Sequence, residues 1–545
     1  MTDQYFLFLL EVGGIQDFIF ASNNLQVNIG ASALVRTITD VWIKELLNDK
    51  KTNFLDLNDA VSLELSEEHI ENDDLNVEIV YIGGGNALLL FKTEEDIHAF
   101  TAELTKKALI NAPGINLAFE QTSIQLKKDN FKEKLSFLRK DLNIKKAASV
   151  PLPSIMGLGV SARCAFSGRP AAGIWKDPGG SPRLVSQEII AKLNHFNQGK
   201  IFLNQLTEHI HEIEGYDFVT NSDDFGDKGT SSYIAIVHAD GNRMGERIKK
   251  LGDVFSFPMD NRKYINLLRA FSESSKAAAN KALILTLEKL VGAIQDDKDG
   301  QFIQRKLDVQ TEHMQSLPRV NIRKKMLPFR PIVFGGDDVT FICDGRLGLA
   351  LAKEYLGNYG SQIIEGDNKL AVGRAGVAIT PSHYPFSRGY ELAEELAGYA
   401  KQAGKEGSVQ SLDWHFGTNG IVESISTIRS RSYQVAGKDL TMRPVCLSGN
   451  NGDIYDFSTF ETIVKEFQVG EKWAKRRNKV KALPGLLRGG GEKVSAYLEN
   501  ALLPDLPRDS RLMQFDDLKR TGWLVDKCIY FDALEAMDFY VPLEV

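Results

Sequence analysis

The sequence predicts an α+β fold in which one structural unit occurs twice. Strand-like, helical and hairpin segments follow one another in the same order in the N-terminal and central parts of the chain. Two stretches, "VEIVYIGGGNALLLFKT" around Gly83 and "RPIVFGGDDVTFICDGR" around Gly335, share one pattern of apolar run, glycines and apolar run. The length, 545 residues, exceeds what one hydrophobic core organises and points to about two to four domains.

In the first unit, "YFLFLLEV" reads as a buried strand. A helix centred on "SALVRTITDVWIKELL" follows, with apolar residues at three- and four-residue spacing. Then come the Gly83 hairpin, the helix "TEEDIHAFTAELTKKAL" and the strand "GINLAFEQTSIQ". Strand, helix, hairpin, helix and strand make an antiparallel sheet with helices on one face. The order restarts at "SYIAIVHAD", a buried strand ending in an acid. The helix opened by "GNRMGERIKKL" and the long helical run "INLLRAFSESSKAAANKALILTLEKLV" follow it. The Gly335 hairpin, the helix "RLGLALAKEYLGNYGSQII", the strand "LAVGRAGVAIT" and the helix "SRGYELAEELAGYAKQAG" complete the second copy. The expected division is 1–125, 126–225, 226–420 and 421–545. The second part is a linker, mixed in character with the helix "VSQEIIAKLNHF", and the last is mainly helical.

Composition narrows the function classes. Charged residues make up 25% of the chain, hydrophobic ones 43%, and the net charge is −7, which describes a soluble globular protein without an overall nucleic-acid signature. No apolar run approaches the ~20 residues that cross a bilayer. "MTDQYFLFLLEVGG" lacks the basic leader of a signal peptide. Cys164, Cys343, Cys446 and Cys528 are scattered without a C-x-x-C pair, so no disulfide framework is indicated. The expected location is cytoplasmic.

The acidic hairpin carries the chemistry. Gly335 and Gly336 allow a tight turn and close approach of a phosphate to the main chain. Asp337 and Asp338 offer the hard oxygen ligands that Mg²⁺ takes together with substrate phosphate. Asp and Gly are also ordinary turn residues. Asp240, ending its strand, is the further acid that turns a polar hairpin into a metal site if the two strands are neighbours. Gly241 then offers an unhindered carbonyl, and Asn242 and Arg243 lie where a nucleotide is touched. Lys401 and Lys405, four apart, share one helix face. They read either as a solvated basic helix end or as phosphate ligands. His238 faces the same side as Asp240 by strand alternation and reads as structural.

"HADGNRMG", "VFGGDDV" and "AKQAGK", in this order, resemble the second palm domain of the large subunit of type III CRISPR effector complexes, a family related to GGDEF and class III nucleotide cyclases. "EVGGIQDFIFASNNLQVNIGASALV" is similar to that family's first palm. The resemblance covers about residues 5–120 and 160–415. It implies two ferredoxin-like palm domains and the conversion of ATP into cyclic oligoadenylates. It also implies Mg²⁺ or Mn²⁺ held by Asp240, Asp337 and Asp338, with phosphate bound by Lys401 and Lys405. Implied partners are the subunits of a guide-RNA effector complex and target RNA, and the basic run at 473–488 is either an RNA contact or a solvated helix.

The chain departs from the family pattern in three places. Asn242 stands where the family often has a second acid. Ser167 replaces a cysteine of the zinc ribbon that Cys164 would begin, so zinc is not expected. The first palm starts at once, so an HD nuclease domain is not expected either. The "GGGN" hairpin, with Gly83, Gly84 and Asn86, reads as the counterpart of "GGDD" in a palm without the acids. Glu11 is the one acid near its matching strand end. That palm is expected to add a nucleotide-binding face opposite the active one. Two rivals stay open: a cyclase with a mono- or dinucleotide product, and a silent nucleotide-binding scaffold.

Overall fold

A computed structural model describes residues 4–55, 65–148, 159–176, 180–225, 232–306, 317–404, 408–417, 423–447, 454–508 and 510–545. The first unit begins with strand β1 (Tyr5–Gly13), then helices α1 (Ile15–Phe20) and α2 (Leu25–Arg36), the latter continued by a π-helical turn over Thr37–Trp42. Strands β2 (Val77–Gly83) and β3 (Asn86–Phe91), helix α3 (Glu94–Asn111) and strand β4 (Asn116–Ile124) follow. The sheet order is β2-β3-β1-β4, antiparallel throughout, which is the ferredoxin-like arrangement. Strand alternation sends Phe8, Leu10 and Val12 into one buried cluster with α2 and α3, whereas Tyr5, Leu7 and Leu9 enter another.

That second face is covered by α4 (Phe131–Ala148), which carries the basic patch as an amphipathic helix with Phe131, Leu135, Leu138 and Leu142 inward. A hairpin of Gly173–Lys176 with Pro182–Val185 leads into α5 (Gln187–Asn194) and α6 (Phe196–Thr207), both packed on α2.

The second unit repeats the scheme. It runs through β5 (Tyr233–Gly241), α7 (Met244–Leu251), the 32-residue α8 (Asn261–Gly292), β6 (Phe329–Val333), β7 (Val339–Asp344), α9 (Gly348–Gly360), β8 (Gly373–Pro381) and α10 (Phe386–Ala403). The order β6-β7-β5-β8 repeats that of the first sheet. Two strands extend it: β9 (Ser411–Phe416), parallel to β8, and β10 (Val445–Cys446). Register shifts fall at matching places, between Ile79 and Tyr81 in β2 and between Pro331 and Val333 in β6.

The units exchange helices. Helix α2 packs on β6 of the second sheet, and α8 packs on β2 of the first. Phe20 of α1 stacks on Tyr390 of α10 at 4.4 Å. Beyond 421 the described residues are helical in short pieces, the longest being α11 (Phe457–Val469), and they add a small four-stranded sheet of two-residue strands that the sequence does not announce. Among the described residues no helix is long and apolar enough to cross a membrane.

Candidate active site

Strand β5 lies beside β7, with Ala239 paired to Val339, so the acid after Ala239 and the acids before Val339 meet at one sheet end. The side-chain oxygens of Asp240, Asp337 and Asp338 lie within 4.8 Å of one another. The turn reaches this geometry through Gly335, whose φ of +96° favours glycine. Burial raises the Asp337 carboxyl above its usual range, with the Asp240 charge adding to it. Asp338 is pushed up further by burial and by both neighbouring carboxylates. Three crowded acids that repel one another are a site for positive charge.

One cation, Arg374, bears on the cluster. Arg374, opposite Asp240 across the β5–β8 pair, forms an ion pair with it, and its Nη1 donates to Asn242 Oδ1 at 2.6 Å. Asn242 is buried, its backbone N–H donates to the Val372 carbonyl at 2.7 Å, and its Nδ2 has no partner among the described residues. Gly241 must lack a side chain, since a Cβ there would lie 2.8 Å from the Tyr359 hydroxyl. Arg243, at φ +59°, opens α7, and its Nε is 3.9 Å from Glu246.

Lys401 is exposed, two residues before the end of α10. Gly404, which follows, abuts Ser411, and Ser411 pairs with Arg374, so this helix end is at the acid end of the sheet. Lys405 lies outside the described residues. His238 is buried against Thr340 Oγ1 (3.2 Å) and the Tyr390 ring, and burial pulls its pKa down to about 4, so it stays neutral. Arg374 was missed from sequence because only strand register sets it opposite Asp240.

The first unit holds the matching positions. Leu10 pairs with Ala87 as Ala239 pairs with Val339, which makes Glu11 the counterpart of Asp240 and Asn86 that of Asp338. Glu11 is tied to Lys146 at 2.6 Å, and Lys146 sits two residues before the end of α4, as Lys401 does in α10. The glycine turns face each other: a Cβ on Gly84 would lie 3.7 Å from the Gly336 Cα, and one on Gly83 would lie 3.9 Å from the Gly335 carbonyl oxygen.

No protein-family model and no curated protein matches the sequence. Solved structures do match. A chain of the Csm1–Csm4 cassette in complex with one ATP is similar over 99% of this chain and 70% of its own, with TM-score 0.52 and 14% identity. The same cassette in complex with cA3 gives TM-score 0.51 at the same identity and coverage. The Csm1–Csm4 subcomplex of the type III-A CRISPR-Csm interference complex gives TM-score 0.50 at 14% identity, over 98% of this chain and 69% of that one. The chain has a Csm1-like palm fold.

In Csm1-like terms, the first unit is the acid-free palm and the second the acid-bearing one. Between the palms, the Cys164 Sγ accepts from the backbone N–H groups of Phe166 and Ser167, each at 3.4 Å. In the basic run, Arg477 and Lys481 pair with Asp538, and the Arg488 guanidinium lies 4.8 Å over the Phe531 ring. These three cations have partners within the C-terminal part.

Proposed function

We propose that the chain is a nucleotidyltransferase that converts ATP into cyclic oligoadenylates, acting in the cytoplasm with the subunits of a guide-RNA effector complex and responding to target RNA. The observation that carries this reading is the convergence of Asp240, Asp337 and Asp338 within 4.8 Å, opposite a second glycine turn. Similar solved structures in complex with ATP and with cA3 support the substrate and product class.

The donor set fits Mg²⁺ or Mn²⁺: three clustered carboxylates, two of them with raised proton affinity that a cation relieves. When bound, the ion supplies Lewis-acid chemistry, favouring the 3′-alkoxide and neutralising phosphate charge. The reaction is in-line attack of one ATP's 3′-oxygen on the α-phosphorus of another. The new O3′–P bond forms as the bond to pyrophosphate breaks, and the hydroxyl proton leaves to solvent. Gly335 and Gly336 let the triphosphate approach the main chain. Gly241, Asn242 and Arg243 line the sugar and phosphate side. Lys401, with Lys405 beyond it, and Arg374 meet phosphate oxygens. Gly83 and Gly84 border the second nucleotide.

The test is chromatography of products from ATP with Mg²⁺ or Mn²⁺, with and without target RNA and partner subunits. Cyclic adenylates are expected, and their yield should vanish in the Asp337→Ala, Asp338→Ala double variant. Unchanged yield in that variant would refute the assigned site. A second reading, a silent nucleotide-binding scaffold, is favoured by Asn242 and by the Arg374 hold on Asp240; binding without turnover under every activator would select it. A mono- or dinucleotide product would appear in the same chromatogram.

A further inference from the structure

Glu78 and Arg330 occupy one place in the two palms. Each lies on the first strand of its hairpin, immediately before the matching register shift, and each faces the crossover helix of the other palm. Glu78 is fully buried and satisfied, with Arg262 Nη2 and Arg269 Nη2 of α8 each 3.0 Å from its carboxylate.

Arg330 is only 2% exposed, yet α2 offers it Ile29, Ser32, Ala33 and Arg36 instead of an acid. Its Nε has no partner among the described residues, and no charged neighbour bears on it; burial alone pulls its pKa down to about 10. Asp40 does not supply the missing charge, because Arg36 (3.2 Å) and Lys276 (3.6 Å) already share it. A buried cation without a counter-ion is strongly disfavoured, and a water molecule would not cancel the charge.

Arg330 borders a small cavity of about 10 Å³ together with Arg36, Phe202 and Phe334. The Phe202 ring lies 4.4 Å and the Phe334 ring 5.6 Å from the Arg36 guanidinium carbon, contacts that fix this group at the cavity wall. The space holds about one water-sized sphere, too little for a phosphate or sulfate; a halide, somewhat larger than a water molecule, fits once the lining shifts slightly outward.

We propose that this cavity binds a single halide ion, chloride in ordinary buffers, held by Arg330, and that the ion replaces the carboxylate missing from α2. Phe334 connects the cavity to Gly335, so the site lies directly behind the acid-bearing turn.

Thermal unfolding of the full chain in sodium chloride and in sodium gluconate at equal ionic strength tests this. The midpoint in chloride is expected to be higher by ~1 °C or more, and the difference should vanish in Arg330→Met. Equal midpoints in the two salts for the wild-type chain, or the same chloride response in Arg330→Met, would overturn the site. Crystals soaked in bromide give an independent readout that stands even if the variant fails to fold. An anomalous peak within hydrogen-bond reach of Arg330 is expected, and a map empty there refutes the proposal.

Discussion

Gly84 and Gly336 stand turn to turn across the two palms, close enough that a Cβ on the first would touch the Cα of the second at 3.7 Å. The twin hairpins thus abut, and only one of them carries acids.

Gly84 has φ +60°, and a Cβ there would meet the Gly336 Cα at ordinary contact distance. Gly84→Leu should therefore strain the turn and place a branched chain against Gly336. The expected outcome is ATP-analogue affinity weakened on the order of 10-fold by isothermal calorimetry, with the acid cluster untouched. Gly336 has no positive φ, so Gly336→Ala should be milder. Affinity unchanged in Gly84→Leu would separate the acid-free palm from nucleotide binding.

Arg374 holds both Asp240 and Asn242. Arg374→Met is expected to lower nucleotide turnover on the order of 10²-fold while the chain stays folded. Arg374→Lys should recover little, because a lysine cannot bridge the two side chains. Steady-state rates with circular dichroism as the folding control check this.

Two acids of the first palm should differ in worth. Glu78→Ala leaves the mostly buried Arg269 without its carboxylate, while Arg262 keeps Glu71, and should destabilise by about 3 kcal/mol. Glu11→Ala removes a partly exposed pair with Lys146 and should cost at most ~1 kcal/mol. Urea midpoints at unchanged m distinguish them.

His415, buried in β9 near Arg443 and Arg429, has its pKa pulled down to about 3, burial first and the two guanidinium charges next. The unfolded chain therefore takes up this proton at about pH 6.5 and the folded chain does not. The resulting stability is complete above pH 6.5 and is lost as pH falls from there towards 3. By pH 5 the loss is about 2 kcal/mol. His415→Phe should remove that share of the acid sensitivity, read from urea unfolding at pH 7 and pH 5.

The duplicated unit was legible because apolar periodicity, glycine turns and element order are local properties of the chain. "GGDD" and the acid ending "IAIVHAD" were likewise readable, since adjacent carboxylates beside glycines already state a chemistry. Partnership across strands was not. Arg374 meets Asp240 through antiparallel register over 134 residues of chain, and Lys146 meets Glu11 over 135. Glu11 carries an acid in the matching position, and only the fold reveals that a lysine already occupies it.

The sequence by itself determined two units of one topology and which of them bears the acids, because period, turn and residue type act within a few residues of each other. The tertiary structure alone decided that the two glycine turns meet, that Glu78 is neutralised while its counterpart Arg330 is not, and that Arg374 holds Asp240. Those outcomes depend on how two sheets exchange helices, and burial sets the energy of a charge only after that packing is complete.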